Sequence, residues 1–321
     1  MANSAEVLNY ILGHPPPAPY PIAYNFLVPN LKGLENFIKA SEEASNENGE
    51  NAPITSPQDP NEQWTSPLSP KPEEEEEMPA SNTSTQDPNE MPSIDSGVDS
   101  PLGEAKTSSP LSTEISLFAA ATEAFSRANT NCSIAESLER CKPIVALAKS
   151  HNIRVRGYVS VALGCPYEGP DVSPSKVAEI TATLLEMGAD EVSVADTTGM
   201  GTAPRTQELL KALSVAGIAS KDLALHFHDT YGQALVNAVV GLEHGVRTFD
   251  SAVGGLGGCP FSKGATGNVA TEDLVYCLHS LGAETGVNVE KMAEIGAWIT
   301  EELGRANDSR AGKALLARKS L

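Results

Sequence analysis

Two histidines two residues apart, His226 and His228, close the apolar run Leu223-Ala-Leu-His-Phe-His. Side chains alternate along a strand, so both imidazoles lie on one face and can share a metal ion. The glycine-rich run from Val253 to Asn268 follows and can fold back over that site, carrying the thiol of Cys259 and the carboxamide of Asn268. Imidazole with oxygen donors suits a divalent ion such as Mg²⁺ or Mn²⁺, or zinc if the shell is nitrogen-rich. The glycines flanking Cys259 permit unusual backbone angles and hinge motion, so its thiol can serve as an acid or base beside a metal. The competing readings are two satisfied polar residues at a strand end and a small apolar residue in a turn. Asp196, followed by Thr197, Thr198 and Gly199, reads equally as a substrate-orienting carboxylate and as a helix cap. Tyr158 and Ser193 face the same interior, as core filler or as substrate contacts.

The elements that position these residues alternate. Strand patterns at Ile22 to Pro29, Ile115 to Ala120, Arg154 to Val161, Glu191 to Asp196, Leu223 to His228 and Arg247 to Val253 are each followed by an amphipathic helix pattern. Ser133-Ile-Ala-Glu136 is a capping box, and Ser173-Pro174 opens a helix that Gly188 stops. Pro143 predicts a kink. Strands separated by helices at intervals of roughly 25 to 40 residues indicate a parallel sheet. Polar residues gathered at strand C-termini match the active-site end of a βα barrel. Six βα units are countable, whereas a closed barrel of the TIM (β/α)8 type needs eight.

Between Ser41 and Thr113 the composition turns to Pro, Ser, Asn and Glu, with 16 acidic residues against 2 lysines. Such a stretch buries too little apolar surface to offset its chain entropy, which predicts a disordered insertion. The expected organisation is therefore an N-terminal segment (1–40) with one βα unit, a disordered acidic insertion (41–113) and the main barrel with C-terminal helices (114–321). The insertion supplies most of the formal charge of −20, and no basic cluster exists, which argues against nucleic acid and anionic membrane surfaces as partners. Five scattered cysteines without a C-x-x-C pair disfavour a disulfide framework. No apolar run reaches membrane-span length, and the start shows no presequence, so the chain as it stands is expected in the cytoplasm.

Gly157-Tyr-Val-Ser, Leu163-Gly-Cys-Pro-Tyr-Glu-Gly169, His226-Phe-His-Asp-Thr-Tyr-Gly-Gln233, Gly254-Gly-Leu-Gly-Gly-Cys-Pro-Phe261, Gly264-Ala-Thr-Gly-Asn268 and Ala270-Thr-Glu-Asp-Leu-Val-Tyr276 together resemble the 3-hydroxy-3-methylglutaryl-CoA lyase family. The likeness covers roughly residues 20–40 and 114–305. It implies a metal-dependent carbon–carbon lyase that splits 3-hydroxy-3-methylglutaryl-CoA into acetyl-CoA and acetoacetate, a step of leucine catabolism and ketone-body formation. By motif position it implies His226, His228 and Asn268 as ligands of Mg²⁺ or Mn²⁺, with Cys259 as mobile-loop acid or base. It further implies His226, Asp196 and Glu272 as catalytic groups and Tyr158 and Ser193 as substrate contacts. An acyl-CoA substrate, a homodimer as the assembly to test for, and a mitochondrial setting complete the implied picture.

One departure bears on activity. The family's first strand carries an Arg-Asp-Gly motif and its second a catalytic Glu, and this sequence has no Arg-Asp dipeptide. The expectation is a barrel lacking its first two strands, one metal ligand and a key cation, with impaired turnover. The alternative is a non-catalytic remnant that binds acyl-CoA or a partner chain.

Overall fold

A computed structural model describes residues 22–47, 112–258 and 267–319, together with three positions near the start. Cys259 and most of the acidic tract (48–111) lie outside the described residues. Among the described residues six strands form one sheet in chain order, all parallel. They are β1 (Ala23–Leu27), β2 (Ser112–Ala120), β3 (Arg154–Ser160), β4 (Glu191–Asp196), β5 (Leu223–Phe227) and β6 (Thr248–Asp250). Parallel neighbours in chain order are the wall of a βα barrel, as the alternation predicts.

The crossovers are α1 (Leu31–Glu47), α2 (Glu123–Thr130) with α3 (Ile134–Ser150), α4 (Pro174–Met187), α5 (Ala203–Val215) and α6 (Ala234–Glu243). Beyond β6 come α7 (Thr271–Ser280), α8 (Val289–Glu302) and α9 (Arg310–Lys319). The Ser133 hydroxyl accepts the Glu136 N–H at 3.2 Å, so the predicted cap forms, and α3 runs through Pro143. Gly188 ends α4 at φ 114°, a left-handed angle that a Cβ would strain.

Alternate residues divide the strands between two environments. Val155 and Val159 of β3, Val192 and Val194 of β4, and Leu223, Leu225 and Phe227 of β5 are buried in the core shared with Ile144, Val145, Ile180, Leu184 and Leu213 of the helices. The opposite residues line the interior. At Gly157 the helix layer comes so close that a Cβ would meet Leu184 Cδ1 at 3.1 Å.

Three boundaries differ from expectation. α1 continues to Glu47, past Ala40, because Leu34, Phe37 and Ser41 share one buried face and the Ser41 hydroxyl donates back to the Phe37 carbonyl at 2.9 Å. β2 begins at Ser112, inside the expected insertion, because Tyr24 to Leu27 supply a partner for Thr113 to Ser116. β6 stops at Asp250, where the chain leads into a 3-10 turn at Val253–Gly255. α9 has no counterpart in the sequence reading. Among the described residues no helix is long and apolar enough to cross a membrane.

Candidate active site

The inward residues of all six strands open onto one cavity of about 760 Å³. Asn25, Ser116, Phe118, Tyr158, Ser160 and Thr197 line one side of it, and His226, His228 and Asp250 the other. The sheet register explains the grouping, since Phe118 pairs with Tyr158, Ala195 with His226, and His226 with Asp250. Each pair sits at the same height on neighbouring strands, so the side chains meet.

His226 and His228 are brought together as their spacing predicts, with ring centroids 5.3 Å apart. Beyond β5, residues 267–270 return against the strand end. His228 bridges Asn268 in antiparallel fashion, and the Val269 N–H donates to the Phe227 carbonyl at 3.0 Å. The Asn268 amide donates to the Leu256 carbonyl at 2.9 Å, which leaves its Oδ1 as the acceptor.

Two buried polar atoms here have no hydrogen-bond partner, His228 Nδ1 and Asn268 Oδ1. Buried polar atoms are normally paired, so an orphaned imidazole nitrogen and carboxamide oxygen on adjoining segments call for a missing partner. Burial, aided by the charge of His226, pushes the His228 pKa down to about 4, so at neutral pH its ring is uncharged with a lone pair available. These donors fit a divalent cation in chemical type. Among the described residues, no group of three His, Cys, Asp or Glu side chains is placed to hold a metal.

Tyr158 lies on the cavity wall, stacked on Phe118 at 5.0 Å and edge-on to His226 at 6.4 Å. Burial raises its phenol, with the negative charge of Asp250 adding to the effect, so it stays a hydrogen-bond donor. The Thr197 hydroxyl accepts the Val161 N–H at 2.8 Å. That bond occupies its acceptor side and leaves its O–H to donate. Val161 itself is a β-branched residue at φ 56°, a strained turn that this bond helps to hold at the end of β3.

Ser193, Asp196 and Glu272 are all buried, and none lines this cavity. Ser193 donates to Asp250 Oδ2 at 2.8 Å beneath it. Asp196 turns into its own loop, where Oδ2 accepts the Gly201 N–H at 2.8 Å and Oδ1 takes the Thr198 hydroxyl at 3.4 Å. Burial pushes its pKa up to about 6, which these hydrogen bonds only partly offset. Glu272, at the start of α7, accepts the Gly254 N–H with both oxygens at 3.0 and 2.9 Å and so clamps the glycine turn after β6. Burial raises its carboxyl as well.

The sequence reading missed a layer of charge inside the barrel. Arg154 pairs with Glu114 at 2.7 Å, and Arg156 with Glu191 and Asp250, both at 2.8 Å. The Arg156 N–H bonds do not align with these contacts, which are ion pairs rather than directional hydrogen bonds. Asp250 also contacts His226 Nδ1 at 3.2 Å. Burial pushes the Asp250 carboxyl up, but the His226 hydrogen bond and the Arg156 charge outweigh it and hold the group below its usual range. The signal was present in Arg154-Val-Arg-Gly-Tyr-Val-Ser160, where polar residues alternate with small or apolar ones at period two.

Fold and site define a class, that of βα barrels with an imidazole-based donor set at the C-terminal ends of the strands. The HMGL-like family profile matches residues 104–299, so the chain belongs to the HMGL-like family. The hydroxymethylglutaryl-CoA lyase of Pseudomonas mevalonii is 53% identical over 207 residues, which are 64% of this chain and 68% of that protein. The crystal structure of hydroxymethylglutaryl-CoA lyase from Pseudomonas aeruginosa superimposes with a TM-score of 0.72 at 39% identity, covering 99% of this chain and 80% of that one. An HMG-CoA lyase from Acinetobacter baumannii in complex with coenzyme A and 3-methylmalate gives a TM-score of 0.59 at 34% identity, covering 63% and 65%.

Proposed function

We propose that this chain carries the site for cleavage of 3-hydroxy-3-methylglutaryl-CoA into acetyl-CoA and acetoacetate. The observation that carries the reading is the pair of orphaned buried atoms, His228 Nδ1 and Asn268 Oδ1, beside His226. His226, His228 and Asn268 would hold a divalent ion, Mg²⁺ or Mn²⁺. Such an ion supplies a Lewis acid that polarises the substrate's hydroxyl and carboxylate oxygens.

The chain's own residues then have distinct tasks. Tyr158 and Thr197 present O–H donors to the acyl group from one wall. Phe118 and Phe125 cover the cavity with apolar surface and keep water from the developing enolate. Asp196 and Glu272 hold the loops at Thr198 to Gly201 and at Gly254. Cys259, on the glycine-rich run that precedes Asn268 in sequence, would serve as the acid or base.

The direct test is to incubate the protein with substrate and Mn²⁺ and measure both products. Equimolar acetyl-CoA and acetoacetate are expected, abolished by EDTA and reduced at least about 100-fold by His228→Ala, a size consistent with loss of a metal ligand. Acyl-CoA binding without any cleavage would overturn the lyase reading in favour of a binding role.

A further inference from the structure

The carboxylate of Asp250 makes three contacts of different kinds. One oxygen takes the Arg156 guanidinium at 2.8 Å. The other, Oδ2, takes the Ser193 hydroxyl at 2.8 Å and faces His226 Nδ1 at 3.2 Å. An ionised carboxylate can only accept, and the Arg156 charge favours that ionised state. His226 must therefore place its proton on Nδ1, which leaves the lone pair on Nε2. Residues on the four consecutive strands β3 to β6 hold the arrangement, because His226 pairs in register with Asp250 across β5 and β6, Ser193 bonds Asp250 from β4, and Arg156 reaches it from β3. Arg156 is itself fixed on its other side by Glu191.

We infer that Asp250, locked by Arg156, is a positioning residue that sets the ring tautomer and orientation of His226 and so delivers Nε2 as the donor atom. This rests on the reading of His226 as a ligand only where metal affinity is concerned; the tautomer follows from the contacts alone. An imidazole can use either nitrogen, and the one it uses is decided by what the other is bonded to. Asp250 needs no contact with the substrate to do this.

The isosteric variant Asp250→Asn separates positioning from packing. Arg156 demands an oxygen, so the asparagine carbonyl turns to the guanidinium and its amide turns to His226. The amide donates to Nδ1, and the imidazole proton moves to Nε2. The same wrong-tautomer logic governs the aspartate-to-asparagine change in serine-protease triads.

The test uses ¹⁵N-histidine-labelled, metal-free full chain and long-range ¹H–¹⁵N correlation, with His226→Gln to assign the ring signals. Wild type should show the Nδ1–H form at His226 and Asp250→Asn the Nε2–H form. A companion Mn²⁺ titration should show affinity falling about 10- to 100-fold in that variant. Glu191→Gln, which loosens the same ion network without touching His226, should leave the tautomer unchanged. An Nε2–H ring in the wild type would overturn the inference, as would an Asp250→Asn protein that keeps both tautomer and affinity. Because the wild-type spectrum requires neither metal nor substrate, failure of the lyase reading leaves this result standing, and the reverse holds too.

Discussion

Asp250, part-buried on β6, and Asp196, fully buried on β4, both lie at C-terminal strand ends, and their pKa values shift in opposite directions. Burial raises both. At Asp250 the His226 hydrogen bond and the Arg156 cation reverse the shift, whereas at Asp196 the Gly201 N–H, the Thr198 hydroxyl, the Gly199 N–H and, least of all, the Arg205 charge oppose it too weakly, and burial prevails up to about 6. The first carboxylate belongs to an ion network spanning strands, the second to a single loop. A charge in the first place organises side chains of other strands, while a charge in the second is held at a cost and organises only its own loop.

The largest test of this contrast is truncation of the networked member. Asp250→Ala leaves the Arg156 guanidinium buried beside one carboxylate instead of two, and stability should fall by about 3–5 kcal/mol in urea unfolding. A loss under about 1 kcal/mol would mean that water already screens the interior pairs and that the contrast is only apparent.

Asp196→Asn should act with the opposite sign. A folded-state pKa raised from 3.8 to about 6 means that the ionised carboxyl costs the fold up to about 3 kcal/mol above pH 6, and this cost vanishes as pH falls below 3.8. The neutral amide retains a carbonyl for the Gly201 N–H, so the variant should be more stable than wild type at pH 7.5. Destabilisation at that pH would show that the loop requires the charge.

His228 supplies a counterweight in the same pH window. Its pKa is depressed from 6.5 to about 4, so the unfolded chain binds its proton first. Folding therefore loses up to about 3 kcal/mol as pH drops from 6.5 toward 4. Asp196 regains a similar amount over the same range, and metal-free wild type should show a nearly flat profile between pH 6 and 4.5. Asp196→Asn removes the opposing term and should make the variant markedly acid-sensitive. Urea midpoints measured in EDTA at several pH values check this, and a flat profile in the variant would dismiss His228 as a buried neutral imidazole.

How much of this was legible in the sequence depended on the distance over which each feature is determined. The pairing of His226 with His228 and the caps at Ser133 and Gly188 are set within a few residues, and spacing shows them. The role of Asp250 arises only when β6 is placed in register with β5 and Arg156 arrives from β3, three strands away, which no local pattern contains. Asp196 sits in sequence between Ala195 and Thr197, which do line the cavity, yet its carboxylate turns onto the Gly201 N–H, and Glu272 is likewise drawn onto the Gly254 N–H. α9 escaped because its stability is tertiary. Asp273 accepts the N–H groups of Arg310 and Ala311 at its start, at 3.1 and 2.7 Å, from 37 and 38 residues away.

The smallest effect concerns the other loop-holding carboxylate. Gly296 in α8 lies directly against Glu272, so that a Cβ there would overlap Oε1. Gly296→Ala forces Glu272 off the Gly254 N–H and should destabilise by about 1–3 kcal/mol, the usual range for overpacking. In a Glu272→Ala background only Asn307 Nδ2, at 3.3 Å, still crowds the new methyl, and the same change should be nearly neutral, because alanine is the better helix former. A double-mutant cycle by urea unfolding reads the difference. Equal costs in both backgrounds would mean that α8 yields elsewhere and that Glu272 holds the turn no more tightly than solvent would, which removes it from the comparison with Asp196.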